Sequence, residues 1–351
     1  MTALADLLIR RIRATGPMSV ADYMAECLLH PKHGYYSTRD PFGAGGDFIT
    51  SPEISQMFGE LLGLSLAQAW LDQGAPARIT LAELGPGRGT CMADVMRATK
   101  GVAGFHQAAD VVLVEASPTL RAVQAKTLAA YHPIWVDGVA ALPEQPLYLL
   151  ANEFFDALPI DQFQHKGDGW RRHMVGLMDG RLCLGLSDPV PCPDPRFGAD
   201  PIGTVVELCP SAAPIAGHIG GVIRQYGGAG IIVDYGGWRS KGDTLQALRN
   251  HLAESPLANP GLADLTAHVD FEALAMAAGP DMCSPLADQG TWLTRLGIHA
   301  RADRLATRLS GAALQNHHAA TRRLTDPAEM GTLFKAMAIR PPHGPPLPGF
   351  A

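Results

Sequence analysis

Cysteine is scarce in this chain, six in 351 residues (27, 91, 183, 192, 209 and 283), with no C-x-x-C pair and no regular spacing. That argues against a zinc module and a disulfide framework, and it suits free thiols in a reducing cytoplasm. Long apolar runs are missing as well, so no membrane-inserted segment is expected. Positive charge is in the minority, with 28 Lys and Arg against 34 Asp and Glu and a net charge of −6. Nucleic acid, whose phosphates demand a basic footprint, is a poor partner for such a surface, and a cationic substrate a good one. His30, His33 and His268 lack metal-ligand spacing, no Ser/His/Asp arrangement stands out, and no metal is expected. The first fifteen residues are amphipathic (Leu4, Leu7, Leu8, Ile12) and carry Arg10, Arg11 and Arg13, but have no signal-peptide core or cleavage site. Asp6 and the direct run into the next helix favour a surface helix over a mitochondrial presequence.

What is present is an ordinary globular composition, 47% hydrophobic and 18% charged, in a chain long enough for one large domain or two unequal ones. Its most informative stretch is Thr80 to Thr90, T-L-A-E-L-G-P-G-R-G-T. An apolar strand runs into a turn with three alternating glycines and then into a helix. Such a backbone lets a ligand approach peptide N–H groups closely, as nucleotide pockets require. The next strand, Asp110 to Glu115, is a continuous apolar run that ends in an acid. At the carboxyl end of a strand in an open α/β sheet, Glu115 can take both hydroxyls of a ribose. The pattern G-x-G-x-G lacks the last spacing of the dinucleotide fingerprint, so NAD ranks second. Glu83 before the loop, Glu115, and Asp137 after a third strand place acids at three successive strand ends, which favours binding over a bare strand-to-helix turn.

Residues 1–75 read as a helical region, with helices near 3–14, 19–29 and 53–73 and a long loop at 30–52. Ser19 with Asp22 three residues on resembles a capping box. From Ile79 strands and helices alternate: strands at 79–84, 110–115, 133–136, 147–152 and 230–235, helices at 90–99 and 118–131. That rhythm predicts an α/β fold with a parallel, Rossmann-like sheet. The core is assigned to 76–160 and 203–351, with a loop-rich region at 236–290, helices over 289–323 and a last strand at 332–339. A β-rich insertion occupies 161–202, with hairpin turns at 166–169 and at Asp179-Gly180, and is read as the acceptor-side subdomain.

E-L-G-P-G-R-G-T, Glu115, Asp137 and the fourth-strand segment L-L-A-N-E-F-F-D-A-L-P (149–159) together resemble a class I S-adenosylmethionine-dependent methyltransferase. G-Y-Y (34–36), G-D-F-I-T-S-P-E-I-S-Q-M-F-G-E (46–60), V-E-L-C-P (205–209), D-Y-G (234–236) and Q-G-T-W-L-T-R-L-G-I (289–298) narrow the resemblance to the MidA family. Its mitochondrial member is a protein-arginine methyltransferase active in respiratory complex I assembly. The resemblance implies S-adenosyl-L-methionine as cofactor, bound by Glu83, Gly85, Gly87, Gly89, Thr90, Glu115, Asp137 and Asn152. Gly85, Gly87 and Gly89 would pass under its methionyl part, Glu115 would grip the ribose and Asp137 would meet the adenine amino group. Arg88 either contacts the cofactor carboxylate or covers the helix end. Cys91 and Met92 stand where small or aliphatic residues are the norm.

A guanidinium acceptor must be held by carboxylates that draw its charge away from the attacking nitrogen. Glu53, Glu153 and Asp156 are the catalytic candidates. Each has a structural alternative: Glu53 as an acid in a first helical turn behind Pro52, Glu153 as a carboxylate satisfied by backbone, Asp156 as a turn cap. Tyr35, Tyr36 and Phe48 either line the acceptor channel or pack, and Asp234 bears on the pocket or stabilises its turn. The expected protein is a cytoplasmic arginine ω-N-methyltransferase acting on a complex I or NADH dehydrogenase subunit. Methylation of small molecules or other protein groups, and a non-catalytic cofactor-binding assembly factor, are the rivals.

Overall fold

The computed structural model describes residues 2–38 and 50–350. The chain divides into two compact units, one holding the described residues of Met1–Phe48 with Asp156–Ala213 and Arg239–Asp270, the other those of Ile49–Phe155, Pro214–Trp238 and Phe271–Ala351. These boundaries differ from the expected ones. The helix at 56–72 goes with the sheet core rather than with the N-terminal helices, and 203–213 and 239–270 join the insertion.

In the first unit, Ala3–Thr15 is capped by the Thr2 side chain and Val20–Leu29 by Ser19, whose hydroxyl accepts from Asp22 N at 3.0 Å. An antiparallel sheet is built from Asp161–Lys166, Gly169–Met178, Arg181–Val190 and Val205–Leu208, with Met18 opposite Val175 at one end. The strand from Arg181 runs on to Val190. Leu4, Leu8, Ile12, Tyr23, Met24 and Tyr35 pack with Val175, Ala247 and Leu265 as its core. The stretch expected to be loop-rich contains a small sheet of Gln246–Arg249, Leu252–Glu254 and Asp264–Thr266 and, in the second unit, the helix Phe271–Ala278.

The second unit carries the main sheet. Its strands run side by side in the order Ile134–Val136, Ala109–Val114, Ile79–Leu84, Leu147–Asn152, Gly228–Gly237, Phe334–Ile339 and Ala287–Asp288. The first five are mutually parallel, and Phe334–Ile339 is antiparallel to Gly228–Gly237. Every residue of Ile79–Leu84 and Leu147–Asn152 is buried, as a strand covered on both faces requires. The chain runs outward one way from Ile79–Leu84 and returns on its other side at Leu147, so Leu84 and Asn152 end neighbouring strands at a topological switch point. The expected helix 53–73 is two helices, Ser51–Ile54 and Gln56–Asp72. Ser55 separates them with extended backbone (φ −157°) and caps the second by accepting from Met57 N. The helix from Pro118 ends at Thr127 and continues as a single 3-10 turn, Ala129–Tyr131.

Candidate functional site

The loop after Leu84 turns through Gly85, Gly87 and Gly89, whose φ angles of 58°, 54° and 80° all lie in the left-handed region. At Gly85 the need for glycine is double. A side chain would be strained there, and its Cβ would sit 2.9 Å from Phe154 Cδ2. Gly89 is the N-cap of helix Thr90–Thr99 and supplies no side-chain acceptor. Part of that role falls to Glu83, which accepts from the Met92 N–H and pairs with the Cys91 thiol. Burial pushes the Glu83 carboxyl up to about 8, so it holds a proton at neutral pH; its Oε2 finds no hydrogen-bond partner among the described residues. Burial likewise raises the Cys91 thiol well above its ordinary range, which makes it an uncharged packing group.

Glu115, one strand over, is buried and its carboxyl is raised by that burial against the pull of Ser117 N and Gln124. Its Oε1 accepts from Ser117 N at 2.8 Å and its Oε2 from Gln124 Nε2 at 3.1 Å. Gln124 is 0% exposed; its Nε2 also donates to Gly87 O at 2.8 Å, and its Oε1 accepts from Trp135 Nε1 at 2.8 Å. One amide therefore ties the glycine loop, the strand-end acid and the third strand together. The sequence reading missed it, although a polar residue one turn after Leu120 on the buried face of a helix was the available signal. Asp137 differs: its side chain is 94% exposed and pairs with Arg121 at 2.5 Å.

On the other side of the switch point, Asn152 is buried and donates from Nδ2 to Glu153 Oε1 at 3.1 Å. That bond orients the amide, since the reverse orientation would set two oxygens against each other. Asn152 Oδ1 is left without a hydrogen-bond partner among the described residues, ready for a donor from a ligand. Glu153 takes a left-handed φ of 51°, and its Oε1 also accepts from Ser51 N at 2.9 Å. Glu53, in the first turn behind Pro52, accepts the Thr90 hydroxyl at 2.6 Å. Within this unit, then, the short helix Ser51–Ile54 is tied at Ser51 to the end of strand Leu147–Asn152 and at Glu53 to the start of the glycine-loop helix. Asp234 is fully buried and accepts from Phe155 N and Tyr235 N, both at 3.0 Å, so it shapes the chain on either side.

Asp156 opens the other unit. It is buried, its carbonyl accepts from Ala267 N at 3.0 Å, and its charge acts on Tyr36. Tyr36 donates to Asp264 at 2.8 Å and Tyr35 is fully buried in the first unit's core. Phe48 lies outside the described residues. Among the described residues no cluster of three or more His, Cys, Asp or Glu could hold a metal, and no helix is long and apolar enough to cross a membrane.

A chain of this design can hold a ligand with vicinal hydroxyls at Glu115, take its backbone along the glycine loop, and meet a hydrogen-bond donor at Asn152. Residues 61–285 match a family described as "Putative S-adenosyl-L-methionine-dependent methyltransferase". The chain is 35% identical over 385 residues to "Protein arginine methyltransferase NDUFAF7, mitochondrial" of Xenopus tropicalis, covering 99% of this chain and 89% of that protein. The protein of the same name from Danio rerio is 37% identical over 361 residues, covering 95% and 85%. A COG1565 superfamily member from Burkholderia thailandensis, crystallised with S-adenosyl-homocysteine, superposes with a TM-score of 0.84 at 29% identity over 99% of this chain and 94% of that one.

Proposed function

From the premise that the chain belongs to the MidA family of S-adenosyl-L-methionine-dependent methyltransferases, we propose that it methylates an ω-nitrogen of arginine in a protein, a subunit of respiratory complex I or NADH dehydrogenase. The observation that carries this reading is the pairing of Glu53 and Glu153 through one short helix, beside a buried amide oxygen at Asn152 that meets no donor among the described residues. A guanidinium offers five N–H donors and no acceptor, and so matches two carboxylates and a carbonyl oxygen. The names of the relatives, protein arginine methyltransferase, support the same acceptor.

When bound, S-adenosyl-L-methionine supplies a methyl made electrophilic by its sulfonium sulfur. The cradle fits such a group: glycine backbone at 85–89, Glu115 for ribose hydroxyls, and polar atoms at Glu83 and Asn152 that no described residue satisfies. The remaining work is positioning. Guanidinium is charged at any physiological pH, so its attacking nitrogen becomes nucleophilic only when charge is drawn onto the other two. In this proposal Glu53 and Glu153 do that and fix the plane of the group, while Asn152 Oδ1 accepts from an N–H. One proton leaves the nitrogen as the N–C bond replaces the S–C bond. The compartment belongs to the same proposal: six free cysteines suit a reducing cytoplasm.

The test is incubation with methyl-labelled S-adenosyl-L-methionine and a lysate from a strain lacking the gene. Label on a protein band, mapped by mass spectrometry to arginine, is the expected result. Label confined to small molecules, or to lysine or carboxyl groups, would remove the arginine reading.

A further inference from the structure

The sequence pattern assigns Thr90 to the cofactor, as the last residue of E-L-G-P-G-R-G-T. Its hydroxyl is engaged elsewhere: it donates to Glu53 Oε1 at 2.6 Å, and a hydroxyl has only one proton to give. We propose that Thr90 is a positioning residue for the acceptor, the joint through which the cofactor loop sets the Glu53 carboxylate. The inference rests on the reading of Glu53 as an acceptor clamp.

Three features support it. Thr90 is the first residue of helix Thr90–Thr99, directly after the N-cap Gly89, so its position follows the loop that carries the cofactor. Glu53 sits on a helix of four residues, too short to hold its own geometry, and its backbone neighbour Ser51 is pinned from the other side by Glu153 Oε1 at 2.9 Å. A Glu side chain has three rotatable bonds; one oxygen fixed by a 2.6 Å bond leaves the other with a defined direction. Cofactor occupancy at the loop then bears on how well the acceptor is held, and the acceptor binds best to the loaded enzyme.

The test compares Thr90→Val, which keeps shape and deletes the hydroxyl, with Thr90→Ser, which keeps it. S-adenosyl-L-homocysteine affinity is read by calorimetry, and apparent KM for the acceptor from serial dilution of the lysate described above. Thr90→Val is expected to raise acceptor KM about tenfold with S-adenosyl-L-homocysteine affinity within twofold of the parent, and Thr90→Ser to restore the acceptor KM. The double variant T90V/E53A should be no worse than E53A alone, because both remove the same bond; this comparison of acceptor KM stands even if Thr90→Val lowers stability. Equal loss in Thr90→Ser, additive losses in the double variant, or a fall in S-adenosyl-L-homocysteine affinity with acceptor KM unchanged would each overturn the proposal. Failure of the underlying reading looks different: E53A alone would then keep full activity whatever Thr90 does.

Discussion

Replacing Gln124 by Met removes every polar contact of one buried amide with little change in volume. Three hydrogen bonds go: to Gly87 O at 2.8 Å, to Glu115 Oε2 at 3.1 Å and from Trp135 Nε1 at 2.8 Å. Two are neutral bonds with a net contribution of about 1 kcal/mol each, and the one to a carboxylate contributes about 1.5–3 kcal/mol. The summed loss is therefore about 3.5–5 kcal/mol, which at roughly 2–4 °C per kcal/mol lowers Tm by roughly 7–20 °C. A second effect separates a binding role from a structural one. With its Gln124 partner gone, Glu115 keeps the backbone N–H donors of Ser117 and Ala116 but loses the side chain that fixes Oε2, so that oxygen would meet a ribose without a set direction. Loss of one oriented charge-assisted bond, again about 1.5–3 kcal/mol, weakens S-adenosyl-L-homocysteine by about 10- to 100-fold. Scanning calorimetry reads the first effect and titration calorimetry the second. A Q124M protein that melts lower yet binds S-adenosyl-L-homocysteine within twofold of the parent would refute the link between Gln124 and the ligand.

Gly85→Ala puts a Cβ at a φ of 58° and 2.9 Å from Phe154 Cδ2. The left-handed backbone alone costs about 1–2 kcal/mol, and relief by moving Phe154 disturbs the chain next to Glu153. We expect lower urea resistance and at least tenfold weaker S-adenosyl-L-homocysteine binding; unchanged binding would show that the loop does not approach the ligand at Gly85. Glu83 predicts a pH dependence. Burial raises its carboxyl from 4.5 to about 8 in the folded chain, so between those values the folded state holds a proton that the unfolded state has released. Stability from this group is complete below about 4.5 and falls as pH rises toward about 8, by up to about 1.4 kcal/mol per pH unit. Urea unfolding across that range should show a flatter slope for Glu83→Gln than for the parent, and parallel slopes would contradict the assignment.

The parallel core was legible because its signals are local. Ile79–Leu84 and Leu147–Asn152 are mostly apolar stretches of six residues, each buried throughout, and their shortness and the turn residues that bound them mark them as strands. The break at Ser55 was hidden for a related reason: S-P-E-I-S-Q-M-F keeps a helical pattern across it, and only the Ser55 hydroxyl on Met57 N reveals a new start. Gln246–Arg249, Leu252–Glu254 and Asp264–Thr266 are three or four residues long, less than two periods of a strand, so they read as loop. The grouping of Gln56–Asp72 with the sheet was invisible because it depends on which distant residues the helix meets. Its Glu60 is buried and accepts from Arg97 at 2.5 Å and Arg301 at 2.7 Å, partners 37 and 241 positions away.

The site divides along the same line. Residue types were readable where chemistry restricts them, as at Gly85, Glu115 and Glu153. What those groups do to one another was not, because it is carried by hydrogen bonds across long sequence separations: Thr90 to Glu53, Ser51 to Glu153, Gln124 to Gly87. These bonds also change the meaning of the readable residues. A Thr after a glycine loop suggests a cofactor contact until its proton is found on Glu53, and a Gln in an amphipathic helix suggests solvent until its burial is complete. In a chain whose strand-end acids differ as much as buried Glu115 and exposed Asp137, burial decides how much each can contribute. A carboxylate open to water and paired with Arg121, as Asp137 is, brings about 0–1 kcal/mol to any contact. At the Gln124–Glu115 pair desolvation makes each hydrogen bond count for more than one made at the exposed Asp137.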